Sequence, residues 1–437
     1  MKRSITILTG ALWLIASLLP IPLKAQLQFT SLQEVLDYAD EHALTIRNAE
    51  TAQMIATSEK KEARNALLPS ASASLGYNDN ITMQPTLVPA EIFNPQAPEG
   101  TYEELRFGTK YMYTGGVYAQ WDILSFQKIF ALQTAGIVEE QSGLTTQMNK
   151  FNTYNQLAST YYSILLTHES IRIYEENLRT SSAILDHTRE KYQEGILSEA
   201  EANQAEIKNL QNKRMLSQAT HSLDQLYIQF QGQLNTNQSI LVHDTPGKTL
   251  IVNPLISSEH PEVLWQEAEV LKYESIVKQN QALRLPTVSL TYQNYQNWAT
   301  DNFLDFGNSR TLPQQAFGVR ISIPIIGSST HQKVKQSNLN LQLQQQQLEN
   351  TRLIKQQEDA LLQLQLEQAS DQLEDNLEIL ALQQQNDLHA ENQYQKGVTS
   401  LTRRLDHYND LLAVQDQYLQ SLAEWTLAQY KIYIRQK

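Results

Sequence analysis

Histidine and carboxylate side chains are the residues of this sequence that could bind a metal ion, because the chain contains nine histidines and no cysteine. Two histidines that share a metal on one helix stand about three or four residues apart. No two histidines have that spacing, and five of them fall singly within helical patterns: His168, His187, His221, His389 and His407. A surface or helix-packing role is therefore predicted for them, with no metal or cofactor site.

Catalytic sequence motifs are also missing. The chain has no G-x-S-x-G nucleophile turn, no G-x-x-x-x-G-K phosphate loop and no G-x-G-x-x-G dinucleotide loop. Its formal net charge of −13 argues against a nucleic-acid partner, which would require a basic surface. These observations predict a protein that is not an enzyme and does not bind nucleic acid.

Residues 1–25 have the pattern of a secretory signal peptide. Lys2 and Arg3 form a basic start, residues 5–19 form an apolar core, and the segment ends in the small residue Ala25. A membrane anchor is the alternative, but this apolar run is short for a spanning helix. No later segment reaches about 18 uninterrupted apolar residues, so a mature chain that crosses a membrane is expected to cross it as strands.

Two glycines mark a turn that occurs twice in the chain. Gly195 and Gly397 lie 202 residues apart (397 − 195), and each follows a tyrosine by three residues and precedes a serine by three. Glycine tolerates the left-handed conformation that ends a helix, and serine can cap the next helix. The sequence therefore predicts two helical hairpins and an internal duplication, with repeats at 26–245 and 246–437.

Long segments without proline lead into these two turns. Residues 125–194 and 328–396 each predict a helix of about 100 Å. The second contains a glutamine run, 344–347, for which disorder is the alternative to helix. Coiled-coil seams are predicted at Leu157, Tyr161, Ile164, His168, Ile171, Tyr174, Leu178 and Leu185, and in the last helix at Leu401, Leu405, Tyr408, Leu412, Gln415, Leu419 and Leu422.

Shorter helical patterns complete the α-helical part. Residues 31–65 predict one or two helices with Ser31 as the N-cap and Glu34 three residues later. The helix that returns from Gly195 is expected to end at Pro246. The fold class predicted from these patterns is mainly α, with a small β part.

Four segments alternate apolar and polar residues with the period of a strand. They are 70–78 and 116–123 in the first repeat, and 287–293 and 317–324 in the second. A loop of about 30 residues separates the first two, and a polar loop at 294–315 separates the others. Such strands fit either a sheet packed on one side or a barrel whose outside contacts lipid.

Closure of a barrel requires more strands than one chain provides. Four strands enclose almost no interior and leave open edges, whereas three copies of the chain would supply twelve. A membrane channel continued by a helical conduit is one hypothesis for this chain. The alternative is a non-conducting periplasmic coiled-coil scaffold or adaptor-like protein.

The order of these motifs resembles the TolC-type outer membrane efflux proteins. The likeness covers essentially the whole mature chain and lies in three features. They are the strand approaches Ala66-Leu67-Leu68-Pro69 and Ala282-Leu283-Arg284-Leu285-Pro286, the twin tyrosine-x-x-glycine turns, and the strand exit Ile323-Pro324-Ile325-Ile326-Gly327. The resemblance implies a homotrimer in which four strands per protomer form a twelve-stranded β-barrel and twelve long helices form a coiled-coil tunnel.

The same resemblance implies localisation, function and partners. It places the barrel in outer membrane lipid of a Gram-negative bacterium and the tunnel in the periplasm. Such a channel is not an enzyme; it passively conducts small molecules or exported substrates to the exterior. It docks with a periplasmic adaptor protein that links it to an inner-membrane transporter, either proton-driven or of the ABC type.

Candidate contact residues for the adaptor also follow from the resemblance. They belong to the two tip turns, which are Gly195, Ile196 and Leu197 in the first hairpin and Gly397, Val398 and Thr399 in the second. Chain reversal alone is the simpler role for both turns, and it is compatible with docking.

Candidate aperture residues lie just beyond the turns. The family often narrows its tunnel with acidic residues six and nine positions after the second glycine, where this sequence has Arg403 and Asp406. Glu201 lies six positions after Gly195. Arg403 departs from the acidic pattern, so a pair between Arg403 and Asp406, or links between neighbouring protomers, are expected to hold the closed aperture through salt-sensitive ion pairs. A solvated helix face is the alternative for these three residues.

Overall fold

The computed structural model describes residues 26–244, 259–325 and 327–437. The predicted signal peptide, the whole of the predicted loop at 246–257 and Ile326 lie outside the described residues. The described chain forms two compact units, and each takes residues from both predicted repeats. One unit contains the described parts of Met1–Gln53, Ser142–Trp265 and Glu349–Lys437, and the other contains Met54–Gln141 and the described parts of Gln266–Leu348.

The chain begins with a short strand and two helices. These elements are β1 (Leu27–Phe29), α1 (Leu32–His42) and α2 (Leu44–Asn65). The predicted N-cap is confirmed, because the Ser31 side chain accepts a hydrogen bond from the Glu34 backbone N–H. The Glu34 carboxylate in turn accepts from the Thr30 backbone N–H at 2.8 Å, which adds a second bond to the start of α1.

A four-stranded antiparallel sheet contains all four predicted strands. It consists of β2 (Ser70–Asp79), β5 (Tyr111–Leu124), β7 (Thr287–Thr300) and β8 (Arg310–Ser322), in the order β2-β5-β7-β8. The prediction of a polar loop at 294–315 was too wide. Strand β7 continues to Thr300 because its polar residues pair with β5, and β8 already begins at Arg310. Pro313 is tolerated there because β8 lies at the edge of the sheet.

Two pairs of short strands were not predicted. Strands β3 (Pro85–Pro89) and β4 (Tyr102–Arg106) form a hairpin inside the predicted loop of about 30 residues. Strand β6 (Ile240–Val242) pairs in parallel with β1, so the first helical hairpin ends well before Pro246. Neither pair alternates over enough residues to give a clear strand signal.

The two predicted hairpins are confirmed. The first consists of α3 (Phe126–Gln193) and α4 (Glu199–Gln233), and the second consists of α6 (Ser328–Gln395) and α7 (Leu401–Arg435), with α5 (Pro261–Ala282) before β7. The glutamine run at 344–347 is helical rather than disordered. In the described part of the chain, no helix has an apolar stretch long enough to span a membrane.

The core of the first unit lies around the middle of α3. Leu157, Tyr161 and Ile164 are fully buried there, as the predicted seam requires, and they pack with Phe230 and Leu36. Beyond Ile164 the predicted seam is partly wrong. His168 is exposed, and Ile171, Tyr174 and Leu178 are only partly buried. The buried residues of this stretch are instead Ile173, Asn177, Ser181, Ile184 and Thr188. The helix therefore turns small polar residues inward, which an apolar seam pattern does not detect.

The last helix follows its predicted seam more closely. Leu401, Leu405, Tyr408, Gln415 and Leu422 are buried. Leu412 and Leu419 are partly buried. The regular spacing of these residues explains why the pattern succeeded in this helix.

Substitution of Gly116 by alanine is expected to destabilise the sheet. The added Cβ would overlap with Tyr295 Cδ1 and with the Asn294 carbonyl oxygen. Overpacking of this kind typically costs about 1–3 kcal/mol. Thermal unfolding of the detergent-purified protein measures the effect. Gly76→Ala is the matched control, because its Cβ would find nothing nearer than Thr114 Cβ at 3.8 Å. Equal unfolding temperatures for the two variants would contradict the prediction.

Candidate functional site

The tip turn of the first hairpin is closed by two backbone hydrogen bonds. The Gly195 N–H donates to the Tyr192 carbonyl at 3.0 Å, and the Ile196 N–H donates to the Lys191 carbonyl at 2.9 Å. Gly195 has a φ of 72°, a conformation that is strained for other residues. This pair of bonds is a Schellman motif, which ends α3 and reverses the chain.

The tip turn of the second hairpin has the same geometry. Gly397 has a φ of 71° and donates to the Tyr394 carbonyl at 3.0 Å. The Val398 N–H donates to the Gln393 carbonyl at 2.9 Å. The sequence match at a spacing of 202 residues is therefore a match in backbone structure as well.

The return helices start differently in the two hairpins. In the first, the Glu201 carboxylate accepts from the Ser198 N–H at 2.9 Å, while the Glu201 N–H donates to Ser198 Oγ at 3.3 Å. This reciprocal capping box lowers the pKa of Glu201, chiefly through the backbone hydrogen bond from Ser198. In the second hairpin, Ser400 Oγ accepts from the Arg403 N–H at 3.3 Å. An arginine side chain has no acceptor, so it cannot complete the box.

Each tip turn presents an apolar side chain to solvent. Ile196 is 65% exposed and Val398 is 73% exposed. Leu197 and Thr399 are partly buried, and Leu197 packs against the cluster that includes Leu401 and Leu405. The backbone of each tip is thus fixed by hydrogen bonds, while one side chain remains available for an apolar partner.

The arginine that is buried near the second tip is Arg404 rather than Arg403. Arg403 and Asp406 are both exposed, and within the described chain no ion pair joins them. Arg404 is 0% exposed and binds Asp387 through two hydrogen bonds, Nη1 to Oδ1 at 2.5 Å and Nη2 to Oδ2 at 3.1 Å. Its Nη2 also lies 3.9 Å from Glu391 Oε2. The aperture roles of Arg403, Asp406 and Glu201 stay predictions.

The duplication contained a signal for this ion pair that the sequence analysis missed. At the spacing of 202 residues, Arg404 corresponds to Ala202 and Asp387 to Leu185. Leu185 and Ala202 form an apolar or small pair, whereas the second hairpin has opposite charges at the same positions. Because both positions differ between the hairpins, and differ in a complementary way, the two positions are expected to be in contact. Each buried charge also requires the other, since a buried charge without a partner is costly.

A buried polar network lies between α3, α4 and α7. Asn177 Nδ2 donates to Gln415 Oε1 at 2.8 Å, and Asn212 Nδ2 donates to the Tyr408 hydroxyl at 2.8 Å. The Tyr408 hydroxyl in turn donates to the Asn177 carbonyl at 2.7 Å. Burial raises the pKa of Tyr408, so this hydroxyl keeps the proton that it donates.

The four-stranded sheet has two chemically different faces. Directly paired residues of antiparallel strands lie on the same face, so the register assigns each side chain. The apolar face contains exposed Leu75, Tyr77, Val117, Trp121, Tyr292, Phe317, Val319 and Ile321. The polar face contains Ser70, Ser72, Ser74, Thr114, Tyr118, Gln120, Asp122, Ser289, Thr291, Gln293 and Arg320.

The polar face ends in a hydrogen-bonded chain beside the start of α3. Tyr118 OH donates to Gln120 Oε1 at 3.0 Å, and Gln120 Nε2 donates to Asp122 Oδ1 at 3.0 Å. Ser289 Oγ donates to the same oxygen at 2.7 Å, and Lys128 Nζ lies 2.7 Å from Asp122 Oδ2. Asp122 corresponds to Pro324 at the spacing of 202 residues, so an ion pair stands where the second strand exit has a proline.

Among the residues that the structure describes, no group of three or more histidine, aspartate or glutamate side chains is placed to hold a metal ion. His168 Nε2 instead lies 3.1 Å from the Tyr227 hydroxyl, and His187 packs edge-on against Tyr394. An amphipathic sheet and two long helical hairpins form the architecture that the sequence resemblance predicted for an outer membrane channel.

The family of this chain is shown by comparison of its sequence with known protein families. The sequence profile of a family described as outer membrane efflux protein matches residues 35–236 and 254–433. The chain therefore belongs to the outer membrane efflux protein family, as the motifs predicted. Its class, its location in the outer membrane and its role in efflux follow from that membership. No curated protein matches the chain in sequence.

Solved structures share the fold of this chain at low sequence identity. The outer membrane protein VceC of Vibrio cholerae is 14% identical with a TM-score of 0.73, and the match covers 93% of this chain and 96% of VceC. A membrane protein from Pseudomonas aeruginosa is 13% identical with a TM-score of 0.75 and coverages of 93% and 91%. The open state of the Neisseria gonorrhoeae MtrE outer membrane channel is 15% identical with a TM-score of 0.72 and coverages of 93% and 88%.

Removal of Asp387 is expected to destabilise the second hairpin. Asp387→Ala leaves the Arg404 guanidinium buried without its main partner, and loss of one partner of a buried ion pair costs about 3–5 kcal/mol. Thermal unfolding and limited proteolysis of the tip region measure this loss.

Two controls accompany this test. Arg403→Ala changes an exposed neighbouring charge and is expected to have little effect. The double variant Asp387→Leu/Arg404→Ala copies the Leu185 and Ala202 pair of the first hairpin and is expected to restore most of the stability. Equal behaviour of Asp387→Ala and Arg403→Ala would show that the buried pair has no stabilising role.

Proposed function

We propose that this protein is a homotrimeric outer membrane channel that passively conducts small molecules or exported substrates from a periplasmic pump assembly to the exterior. The observation that carries the proposal is the four-stranded sheet with one exposed apolar face and two open edges, β2 and β8. The proposal includes the division of the mature chain into the repeats 26–245 and 246–437.

The open edges support assembly of several copies. A strand edge that faces hydrocarbon leaves unpaired N–H and C=O groups, each of which costs several kcal/mol. Pairing of β8 with β2 of the next copy removes both edges. Three copies give twelve strands, with the apolar face toward lipid and the polar face toward the lumen.

The surface of α6 also supports assembly. This helix is rich in glutamine, yet Leu339, Leu343, Leu353, Leu361 and Leu364 are each about half exposed or more. Exposure of so many leucine side chains to water is unfavourable. Contact with helices of another copy would remove this apolar surface from water. A tunnel of twelve helices, four from each copy, fits both hairpins.

The tip turns support docking of a periplasmic adaptor. Ile196 and Val398 project from turns whose backbone is already fixed, so binding requires little ordering of the chain. The adaptor would in turn link the channel to an inner-membrane transporter, proton-driven or of the ABC type, which supplies the energy for export. A passive conduit of this kind is not an enzyme.

The aperture is proposed to lie beside Arg403, Asp406 and Glu201. Arg403 and Asp406 are exposed on α7 within the first three turns after the tip, where helices of several copies would converge. Arg403 places positive charge where the family resemblance implies an acidic residue, and this charge would reduce the preference of the pore for cations. A non-conducting scaffold is disfavoured, because it has no use for a sheet whose apolar face is exposed.

Single-channel conductance of the detergent-purified protein in planar lipid bilayers tests the channel proposal. Stable current steps are expected from the wild type, and Asp406→Ala is expected to change their size because it removes a charge at the aperture. Asp410→Ala is the matched control, since it removes an exposed charge one turn further along α7.

Two outcomes would count against this proposal. An assembled trimer that gives no current, with Arg403→Ala equally silent, would overturn the channel. Equal conductance changes for Asp406→Ala and Asp410→Ala would keep the channel but remove Asp406 from the aperture. The mass of the purified complex, measured by light scattering, separately tests the trimer.

Docking at the tips is tested by the double variant Ile196→Ser/Val398→Ser in cells that export a fluorescent dye. Export is expected to fall several-fold because the apolar contacts are lost, while single-channel conductance in bilayers stays at the wild-type value. The control is Thr402→Ser, an exposed position on α7 that changes one methyl group. Full export by the double variant would show that the tips do not form the adaptor contact.

A further inference from the structure

The loop 301–309 between β7 and β8 folds back over the apolar face of the sheet. Phe303 packs edge-on against Tyr77 and Tyr111, with ring centroids 6.0 and 5.7 Å apart. Phe306 lies 4.9 Å from the Tyr113 ring and 6.4 Å from the Trp298 ring. Because these strand residues lie on the apolar face, the loop does not cover the polar face.

The loop is held in this position by hydrogen bonds. Leu304 has a φ of 57°, which is unfavourable for an apolar residue, and its N–H donates to the Tyr113 hydroxyl at 2.9 Å. Asp305 closes the following turn by accepting from the Asn308 backbone N–H at 3.1 Å and side chain at 2.9 Å. Asp301 accepts from the Lys110 N–H at 3.0 Å. Such a conformation persists only where the surroundings stabilise it.

The fold-back leaves apolar side chains exposed instead of burying them. Phe303, Leu304 and Phe306 are 60%, 57% and 51% exposed. They continue the exposed apolar surface that Leu75 and Tyr77 begin on β2. In water, three exposed apolar residues in the four positions 303–306 would be costly, and a hairpin loop needs none of them.

The loop also lies at a particular end of the sheet. It joins the end of β7 to the start of β8, whereas α5 leads into the start of β7 and β8 leads into α6. The aromatic cluster is therefore at the sheet end remote from the helices. In an outer membrane channel with periplasmic helices, this end lies at the outer leaflet, where aromatic rings favour the boundary between hydrocarbon and water.

We propose that Phe303, Leu304 and Phe306 form a membrane anchor that inserts into outer-leaflet lipid beside the apolar face. The anchor rests on the proposed function, because it requires the apolar face to contact lipid. The anchor fixes the depth of the barrel at the outer boundary between hydrocarbon and water. The polar turn that Asp305 closes stays in water.

Spin labelling in lipid vesicles tests the anchor, and the absence of cysteine from the chain allows single labels without other changes. The full-length protein carries a nitroxide at Phe303→Cys or Phe306→Cys in phosphatidylethanolamine and phosphatidylglycerol vesicles. Collision with oxygen reports contact with lipid, and collision with a nickel complex reports contact with water. Leu75→Cys on the apolar face and Ser74→Cys on the polar face are neighbouring reference positions.

Labels at 303 and 306 are expected to match Leu75→Cys, with high oxygen and low nickel accessibility. Labels that instead match Ser74→Cys would overturn the anchor while the channel proposal stands. A water-accessible label at Leu75→Cys would overturn the membrane-spanning sheet itself and the anchor with it. The two labelled loop positions make the result independent of one variant that fails to fold.

Discussion

Hydrogen bonding of the backbone is the constraint on which this structure depends. A segment that crosses a membrane has no water to satisfy its N–H and C=O groups, so every strand needs a neighbour on both sides. In the sheet described here β5 and β7 meet this requirement, whereas β2 and β8 meet it on one side only. The proposed assembly removes those two unpaired edges, because β8 of one copy pairs with β2 of the next.

The helical hairpins are subject to a different constraint. Their two helices must pack in one register along their length, although several neighbouring registers are possible. Helix α6 contains much glutamine and few strongly buried apolar residues, so apolar packing alone distinguishes poorly between neighbouring registers. Buried groups that need a particular partner make that distinction. The Arg404 and Asp387 pair does so within the second hairpin, and the network of Asn177, Asn212 and Tyr408 does so between α7 and the first hairpin.

Much of the fold could be predicted because its signals are local. Structure within a few residues is specified by Gly195, by Gly397 and by the alternation in β2. The repetition of these signals at a spacing of 202 residues makes the prediction stronger. The missed features are contacts between distant residues. Arg404 received no predicted role, since charge patterns cannot show that Asp387 lies opposite it. Likewise, the pairing of β1 with β6 joins segments that are far apart in sequence, and a pattern within either segment carries no information about the other.

The unequal starts of the two return helices have a consequence for symmetry. The proposed trimer would have six hairpin tips around its axis. They would alternate between a helix start capped by the Glu201 carboxylate and one that carries Arg403. A ring of six identical partner molecules would therefore meet acidic and basic positions in turn. The end of the tunnel would have threefold rather than sixfold symmetry, so a partner would bind in two distinct environments, with separate affinities and separate responses to salt.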